Sequence, residues 1–106
     1  AVILEGRAGK EGILSHKTQT WASEHAMLLH MQDSYNQDIQ SGDIFIKMNG
    51  RKLYEFALNH VPNVVKIALD KSGVNITDVK KILIHQANEK MDEAIVQRLF
   101  KLYGTT

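Results

Sequence analysis

The sequence of 106 residues contains no cysteine. It therefore cannot form a disulfide, bind a metal through thiolates or supply a cysteine nucleophile of its own. No apolar run approaches the roughly 20 residues needed to cross a bilayer, and no signal-peptide pattern is present. These absences predict a cytoplasmic protein that does not bind a membrane.

An excess of charge of one sign is also missing. The chain has 13 lysine and arginine residues and 12 aspartate and glutamate residues, so its net charge of +1 gives no basis for binding nucleic acid. The five histidines show no HExxH spacing, and the separation of His25 from His30 suits neither a helical nor a strand metal site. We therefore expect no metal site. The hydrophobic content of 43% is typical of one soluble globular domain.

The most informative stretch is Lys81–Asn88. Ile82, Leu83 and Ile84 are consecutive and apolar, which predicts a strand covered on both faces. His85 would then stand at the carboxyl end of a core strand, where open α/β sheets bind their ligands. Histidine is the usual acid/base residue. A histidine after an apolar run also suits a hydrogen-bonded packing role, so both interpretations stay open on position alone.

The first 42 residues are harder to assign. Apolar runs separated by glycines and charges predict a hairpin over Ala1–Thr20, with its turn at Gly6–Gly12. Trp21–Gly42 mixes apolar residues with a loop composition, and Ala26–Met31 suits either a short helix or a short strand.

A strand and a long helix follow. Ile44–Met48 has the composition of a short strand, and apolar residues at steps of three and four predict a helix over about Gly50–Ser72. Asn49 is the expected N-cap and Gly73 the expected left-handed stop. We expect Pro62, inside this helix, to bend it.

The last helix is predicted to begin at Asn88, whose side chain can accept from free amides, and to stop at Gly104. Strand, long helix, strand and helix form a βαβα unit, so Ile44–Met48 and Ile82–Ile84 are expected to be parallel. The predicted fold class is therefore α/β, with a hairpin followed by a βαβα unit.

Two motifs resemble one enzyme family. Ile84-His85-Gln86-Ala87-Asn88, together with Met48–Ala57 at the start of the long helix, resembles β-ketoacyl-acyl carrier protein synthase III, a thiolase-fold condensing enzyme of bacterial fatty acid synthesis. The family pattern is a strand ending in His-Gln-Ala-Asn, preceded by a Met-x-Gly segment. The resemblance is specific over residues 44–104 and weak over residues 21–43. It implies a partial thiolase-like fold, with residues 1–43 ending the N-terminal half and residues 44–106 forming a truncated C-terminal half.

The resemblance also implies a Cys-His-Asn catalytic set, in which His85 matches the family histidine. The family cysteine lies upstream of Ala1 in this pattern, and the family asparagine lies in a Gly-Asn-Thr/Ser segment downstream of Thr106. We therefore expect an internal fragment of a larger enzyme that is inactive alone. Decarboxylation of a malonyl thioester creates an enolate whose oxygen needs hydrogen-bond donors, and a neutral His85 would supply one of them.

Four further residues match positions near the family's substrates. Asn88 matches an asparagine near the pantetheine arm, although the role of N-cap explains it equally well. Met48, Gly50 and Tyr54 match positions that line the acyl and pantetheine tunnel, and ordinary core packing is the alternative for them.

The resemblance also implies a basic landing patch for acyl carrier protein on the last helix. Lys90 replaces the arginine usual there, and Lys90, Arg98 and Lys101 are expected to preserve part of the patch. Glu55 stands where a lysine is common, which weakens this patch. A solvated helix face is the alternative, because exposed charges usually contribute little.

The function implied by the resemblance is an acyltransferase reaction. An acyl-coenzyme A primer is condensed with malonyl-acyl carrier protein by a decarboxylative Claisen condensation, in a homodimeric parent enzyme that uses coenzyme A thioesters as substrates and needs no cofactor. One alternative is a thiolase-fold synthase of secondary metabolism. Another is a small α/β interaction module without catalytic activity, in which His85 only packs.

Overall fold

The computed structural model describes residues 3–9, 12–39, 41–86 and 88–105. It is a mixed α/β arrangement in which one two-stranded sheet accompanies three α-helices among these residues. In chain order the elements are α1 (Ala22–His25), a 3₁₀ turn (Ala26–Leu28), β1 (Leu29–Gln32), β2 (Phe45–Met48), α2 (Gly50–Ser72), a second 3₁₀ turn (Ile76–Asp78) and α3 (Glu89–Leu102).

The long helix α2 has the predicted bounds and the predicted caps. The Lys52 amide donates to Asn49 Oδ1 at 3.2 Å, which satisfies one amide of the first turn. Gly73 ends the helix in the left-handed region at φ 73°, where a residue with a Cβ would be strained. Pro62 is buried within α2, and the helix continues past it to Ser72.

The last helix is also confirmed. The Met91 amide donates to Asn88 Oδ1 at 3.1 Å, so Asn88 is the N-cap of α3. Gly104, at φ 69°, follows the last helical turn and donates its amide to the Lys101 carbonyl at 3.1 Å. The predicted stop residue, Gly104, therefore lies two residues after Leu102, the last residue of α3.

The core lies between α2 and α3. Its buried residues are Leu58 and Pro62 on α2 and Ile95 and Leu99 on α3. Arg98 adds a polar tie between the two helices, since its Nη1 donates to the Leu58 carbonyl at 2.9 Å. The radius of gyration is 18.3 Å, whereas a compact domain of 100 residues would have about 13 Å. The chain is thus an elongated arrangement around a small core.

The sheet differs from the one predicted. β2 pairs with β1 in antiparallel register, with Leu29 opposite Met48 and Gln32 opposite Phe45. The sequence left a short helix and a short strand open for Ala26–Met31. The structure has both, because a 3₁₀ turn leads directly into β1. The division at residue 43 falls between these two paired strands, and the assignment of the two segments to halves of a larger fold stays a prediction.

The predicted core strand at Lys81–His85 is wrong. This segment has no regular secondary structure, and Leu83 is 89% exposed. A strand requires a neighbouring strand to bond its amides and carbonyls, and within the described ranges none lies beside it. The expected parallel pairing of Ile44–Met48 with Ile82–Ile84 is therefore wrong as well, and the βαβα unit is incomplete here.

The predicted hairpin over Ala1–Thr20 is also wrong in the parts that can be seen. Residues 3–9 and 12–20 contain no strand, whereas Ala1, Val2, Lys10 and Glu11 of that prediction lie outside the described residues. Residues 12–20 contact α2 and do not pair with a strand. The Ser15 Oγ donates a hydrogen bond to the Ala68 carbonyl of α2. In the described ranges, no helix has both the length and the apolar character needed to span a membrane.

Candidate functional site

His85 lies in the connection between the second 3₁₀ turn and α3. Its side chain is exposed, as is that of Gln86. Ala87, the third residue of the His-Gln-Ala-Asn motif, lies outside those ranges. The hydrogen-bonded packing role considered for His85 is therefore not what this structure shows, and the imidazole is available to a ligand.

Asn88 is the last residue of this motif and the N-cap of α3. Its backbone is extended, at φ −157° and ψ 110°, and its Oδ1 is used by the Met91 amide. Glu89 and Asp92 add negative charge to the first turn of α3, which the positive end of a helix favours. The cap needs only Oδ1, so the side chain can cap the helix while Nδ2 serves as a donor elsewhere.

Two of the three predicted tunnel residues lie together. Met48, at the end of β2, and Gly50, at the start of α2, line one cavity of about 410 Å³. Tyr54 is one turn further along α2, is 37% exposed and is not among the residues that line this cavity. The structure thus separates Tyr54 from Met48 and Gly50.

The three predicted carrier-protein residues all lie on α3. Lys90 and Lys101 are separated by about 16 Å along the axis and point in nearly the same direction, as expected from the rise and turn of an α-helix. Arg98 is committed to α2, because its Nη1 donates to the Asn59 Oδ1 at 3.0 Å as well as to the Leu58 carbonyl. The two lysines are therefore freer than Arg98 to meet an acidic partner.

Sequence reasoning missed a cluster of four rings between α1 and α2. The ring of His60 lies 4.3 Å from that of Trp21 and 4.4 Å from that of Phe56, and His25 lies 4.9 Å from Phe56. Both pairs, Trp21 with His25 and Phe56 with His60, have the i,i+4 spacing that places side chains on one helical face. This spacing was visible in the sequence and could have indicated the cluster. Contacts between these rings pack the short helix α1 against α2.

No metal centre is apparent among the described residues, since none of their histidine, aspartate and glutamate side chains gather in groups of three or more.

Curated relatives support the resemblance that the two motifs predicted. The chain is 38% identical over 60 residues to a protein of Thermosynechococcus vestitus named beta-ketoacyl-[acyl-carrier-protein] synthase III, a match that covers 57% of this chain and 18% of that relative. It is 34% identical over 62 residues to a protein of Streptococcus pneumoniae with the same name, covering 58% of this chain and 19% of the relative. The resemblance to this family is thereby confirmed for more than half of the chain.

The matches span less than a fifth of the length of these curated relatives. No family model matches the chain. No solved structure gives a significant match.

Proposed function

We propose that this chain supplies the histidine-bearing part of a β-ketoacyl-acyl carrier protein synthase III. The similarity to relatives with that name, at 34–38% identity over 60–62 residues, carries the proposal. The exposed imidazole of His85, three residues before the capped start of α3, supports it. The thiolase-like fold and the fatty-acid-initiating reaction belong to the same proposal.

The proposed chemistry is a decarboxylative Claisen condensation. Loss of carbon dioxide from a malonyl thioester leaves an enolate, and His85 donates a hydrogen bond to its developing oxyanion. A second donor, an asparagine amide, and the cysteine that carries the acyl group come from outside this chain. Because one such donor is typically worth about 2.7–4 kcal/mol of barrier, His85 alone cannot sustain the reaction.

In this proposal the substrate contacts His85, Asn88 and the start of α2. Asn88 Nδ2 is the donor we assign to the pantetheine arm, while Oδ1 continues to cap α3. Met48 and Gly50 contribute to the wall of the acyl passage, which their shared cavity supports. Tyr54, about one helix turn beyond Gly50 and outside the lining of that cavity, is the weakest member of the predicted set.

The decisive test is His85→Ala in an intact enzyme that carries this chain. We expect condensation and malonyl decarboxylation to fall by about 10²–10³-fold, while acyl transfer to the cysteine largely survives. His16→Ala, which removes another exposed imidazole, is the matched control and should leave all three reactions unchanged. Normal condensation by the His85→Ala enzyme would sink the proposal.

The carrier-protein partner is tested by charge reversal on α3. Lys90→Glu and Lys101→Glu should each weaken binding of the acidic acyl carrier protein and reduce its dependence on salt. Lys71→Glu, an equal charge change at the end of α2, should have little effect. Arg98 is unsuitable for this test, because reversal of its charge would also break the ties to α2. Carrier-protein affinity that is unchanged in both lysine variants would remove this surface from the proposal.

A further inference from the structure

Asn49 is hydrogen-bonded to both sides of the junction between β2 and α2. Its backbone amide donates to the Leu28 carbonyl at 2.9 Å, and its carbonyl accepts from the Leu53 amide at 2.8 Å. Its side-chain Oδ1 accepts from the Lys52 amide at 3.2 Å. This residue therefore connects the 3₁₀ turn before β1, the end of β2 and the first turn of α2. A change in its covalent structure would affect all of them.

A glycine follows Asn49, and an asparagine–glycine pair is chemically reactive. The backbone nitrogen of the residue after an asparagine can attack the side-chain Cγ, because the two atoms close a five-membered ring. A side chain on the following residue hinders this attack, and Gly50 has none. Both residues are exposed. The Gly50 amide also belongs to the first turn of α2, whose amides have no carbonyl of the helix to bond. The nitrogen is therefore outside the hydrogen-bond ladder of the helix.

The capping bond places a donor where charge develops during this attack. Attack on Cγ moves negative charge onto Oδ1 of Asn49, and the Lys52 amide already donates to that oxygen. A donor aimed at a developing oxyanion stabilises the transition state. The first turn of α2 contains no acidic residue that would oppose the charge.

Asn88 provides a comparison within the same chain, because it is also an N-cap. Its Oδ1 accepts from the Met91 amide at 3.1 Å, so the two caps have nearly the same bond. The next residue is Glu89, whose side chain obstructs the nitrogen, and Glu89 and Asp92 place negative charge in the first turn of α3. The other asparagines also precede residues with large side chains, namely Gln37, His60, Val64 and Ile76.

We propose that Asn49 is a site of spontaneous deamidation in the folded chain. The Gly50 nitrogen gives its proton to hydroxide and bonds to Cγ of Asn49, while the Cγ–Nδ2 bond breaks and Nδ2 leaves as ammonia with a proton from water. Water then opens the cyclic imide. Hydrolysis at Cγ gives aspartate, and hydrolysis at the backbone carbonyl carbon gives isoaspartate. The reaction consumes one water and releases one ammonia, and it does not depend on the proposed reaction at His85.

The two products differ in the contacts that they keep. Aspartate retains an oxygen for the Lys52 amide and adds the negative charge that the start of a helix favours. Isoaspartate carries the main chain through Cβ and Cγ, so the carbonyl that accepts from Leu53 no longer belongs to the main chain. We therefore expect the isoaspartate product to loosen the first turn of α2 and the aspartate product to preserve it.

The first experiment incubates the 106-residue chain in mildly alkaline heavy-oxygen water and follows each asparagine by peptide mass spectrometry. We expect Asn49 to exchange its amide for labelled oxygen before any other asparagine, at a rate that rises with hydroxide concentration. Asn88 should stay intact over the same period. An isoaspartyl methyltransferase marks the isoaspartate product separately. An Asn49 amide that survives as long as that of Asn88 would overturn the proposal.

Two substitutions exchange the residue that follows each cap. Gly50→Ala adds a side chain whose Cβ would meet nothing within 4 Å, so the fold should persist, and the rate at Asn49 should fall to that of the other asparagines. Glu89→Gly is the reciprocal change and should make Asn88 reactive, with the helix content of both variants checked by circular dichroism. A wild-type rate at Asn49 in the Gly50→Ala chain would contradict the proposal, as would an unreactive Asn88 in the Glu89→Gly chain.

Thermal unfolding of the separated products tests the structural consequence. Ion exchange resolves the deamidated chains from the unmodified chain, and Asn49→Asp provides the aspartate product directly. We expect Asn49→Asp to melt at or above the temperature of the unmodified chain and the isoaspartate chain to melt below it. An isoaspartate chain with the unmodified melting temperature would contradict the assigned role of Asn49 at the start of α2.

Discussion

Tyr103 donates a hydrogen bond of 2.8 Å from its hydroxyl to Asp70 Oδ1, across 33 residues of sequence. Lys66 donates to the other carboxylate oxygen at 2.6 Å, and its Nζ lies 4.4 Å from the centroid of the Tyr103 ring. Desolvation, followed by the bond to Asp70, raises the pKa of Tyr103 to about 12. The hydrogen bonds from Lys66 and then Tyr103 lower the pKa of Asp70. These three residues tie the end of α3 to the last turns of α2.

The pKa of Tyr103 makes this tie sensitive to alkali. Because its folded-state pKa lies above the ordinary value of 10.0, its contribution to stability is fully present below pH 10 and is lost as the pH rises to about 12. We expect Tyr103→Phe to flatten the fall in the free energy of unfolding across this interval, measured by denaturant titration at each pH. Tyr54→Phe is the control and should preserve the wild-type profile.

Asp70 gives the opposite pH dependence. Its lowered pKa means that its contribution is present above the ordinary value of 3.8 and is lost as the pH falls through the folded-state pKa. Asp70→Asn should therefore reduce the loss of stability in acid.

A Tyr103→Phe profile that still falls like the wild type in alkali would show that the Tyr103–Asp70 bond does not stabilise the folded chain.

Local features of the sequence were sufficient to predict the two long helices. The apolar spacing in α2, the caps at Asn49 and Asn88 and the glycine stops act over a few residues, so each is visible in the sequence itself. Strands depend on partners far along the chain. The composition of Ile82–Ile84 is that of a buried strand, but no strand of the described residues lies beside it, and β2 pairs with β1 instead.

In the candidate site, the capping role of Asn88 followed from its position before a helix and is confirmed. The role of His85 stays a prediction from the motif. The burial of Lys47 could not be predicted, because it depends on how Tyr35 returns over β2 from a loop. The Tyr103–Asp70 bond was hidden for the same reason, since the two residues share no local pattern and meet only when α2 and α3 pack.

Asn88 has two separable roles, and two substitutions distinguish them. Asn88→Asp keeps the acceptor that caps α3 but removes the Nδ2 donor, whereas Asn88→Ala removes both. We expect Asn88→Ala to destabilise the chain by about 1 kcal/mol and Asn88→Asp to retain the stability of the wild type. In an intact enzyme, both variants should raise KM if Nδ2 binds the pantetheine arm. Wild-type kinetics of Asn88→Asp would restrict Asn88 to the role of helix cap.

The small core should concentrate its stability in few side chains. Leu99 is 2% exposed, whereas Leu102, three residues further along α3, is 42% exposed. We expect Leu99→Ala to cost about 2–5 kcal/mol, which combines lost transfer energy with a cavity, and Leu102→Ala to cost about 1 kcal/mol or less. Denaturant unfolding of the two variants measures both values. Equal losses would indicate that the packing of α2 against α3 does not dominate stability.

The sheet leaves one apolar face uncovered, and this face should make the chain associate. Leu29 and Met31 of β1 and Ile46 and Met48 of β2 alternate onto the same side, with exposures of 52–73%. Contiguous apolar surface of this kind promotes self-association. We expect sedimentation velocity to show oligomers of the wild-type chain and Ile46→Lys to shift the distribution towards monomer. Gln37→Lys adds the same charge to an exposed residue outside this face, so it should leave the oligomers in place. A monodisperse wild-type monomer would contradict this prediction and would favour the small self-contained module over the histidine-bearing part of a larger enzyme.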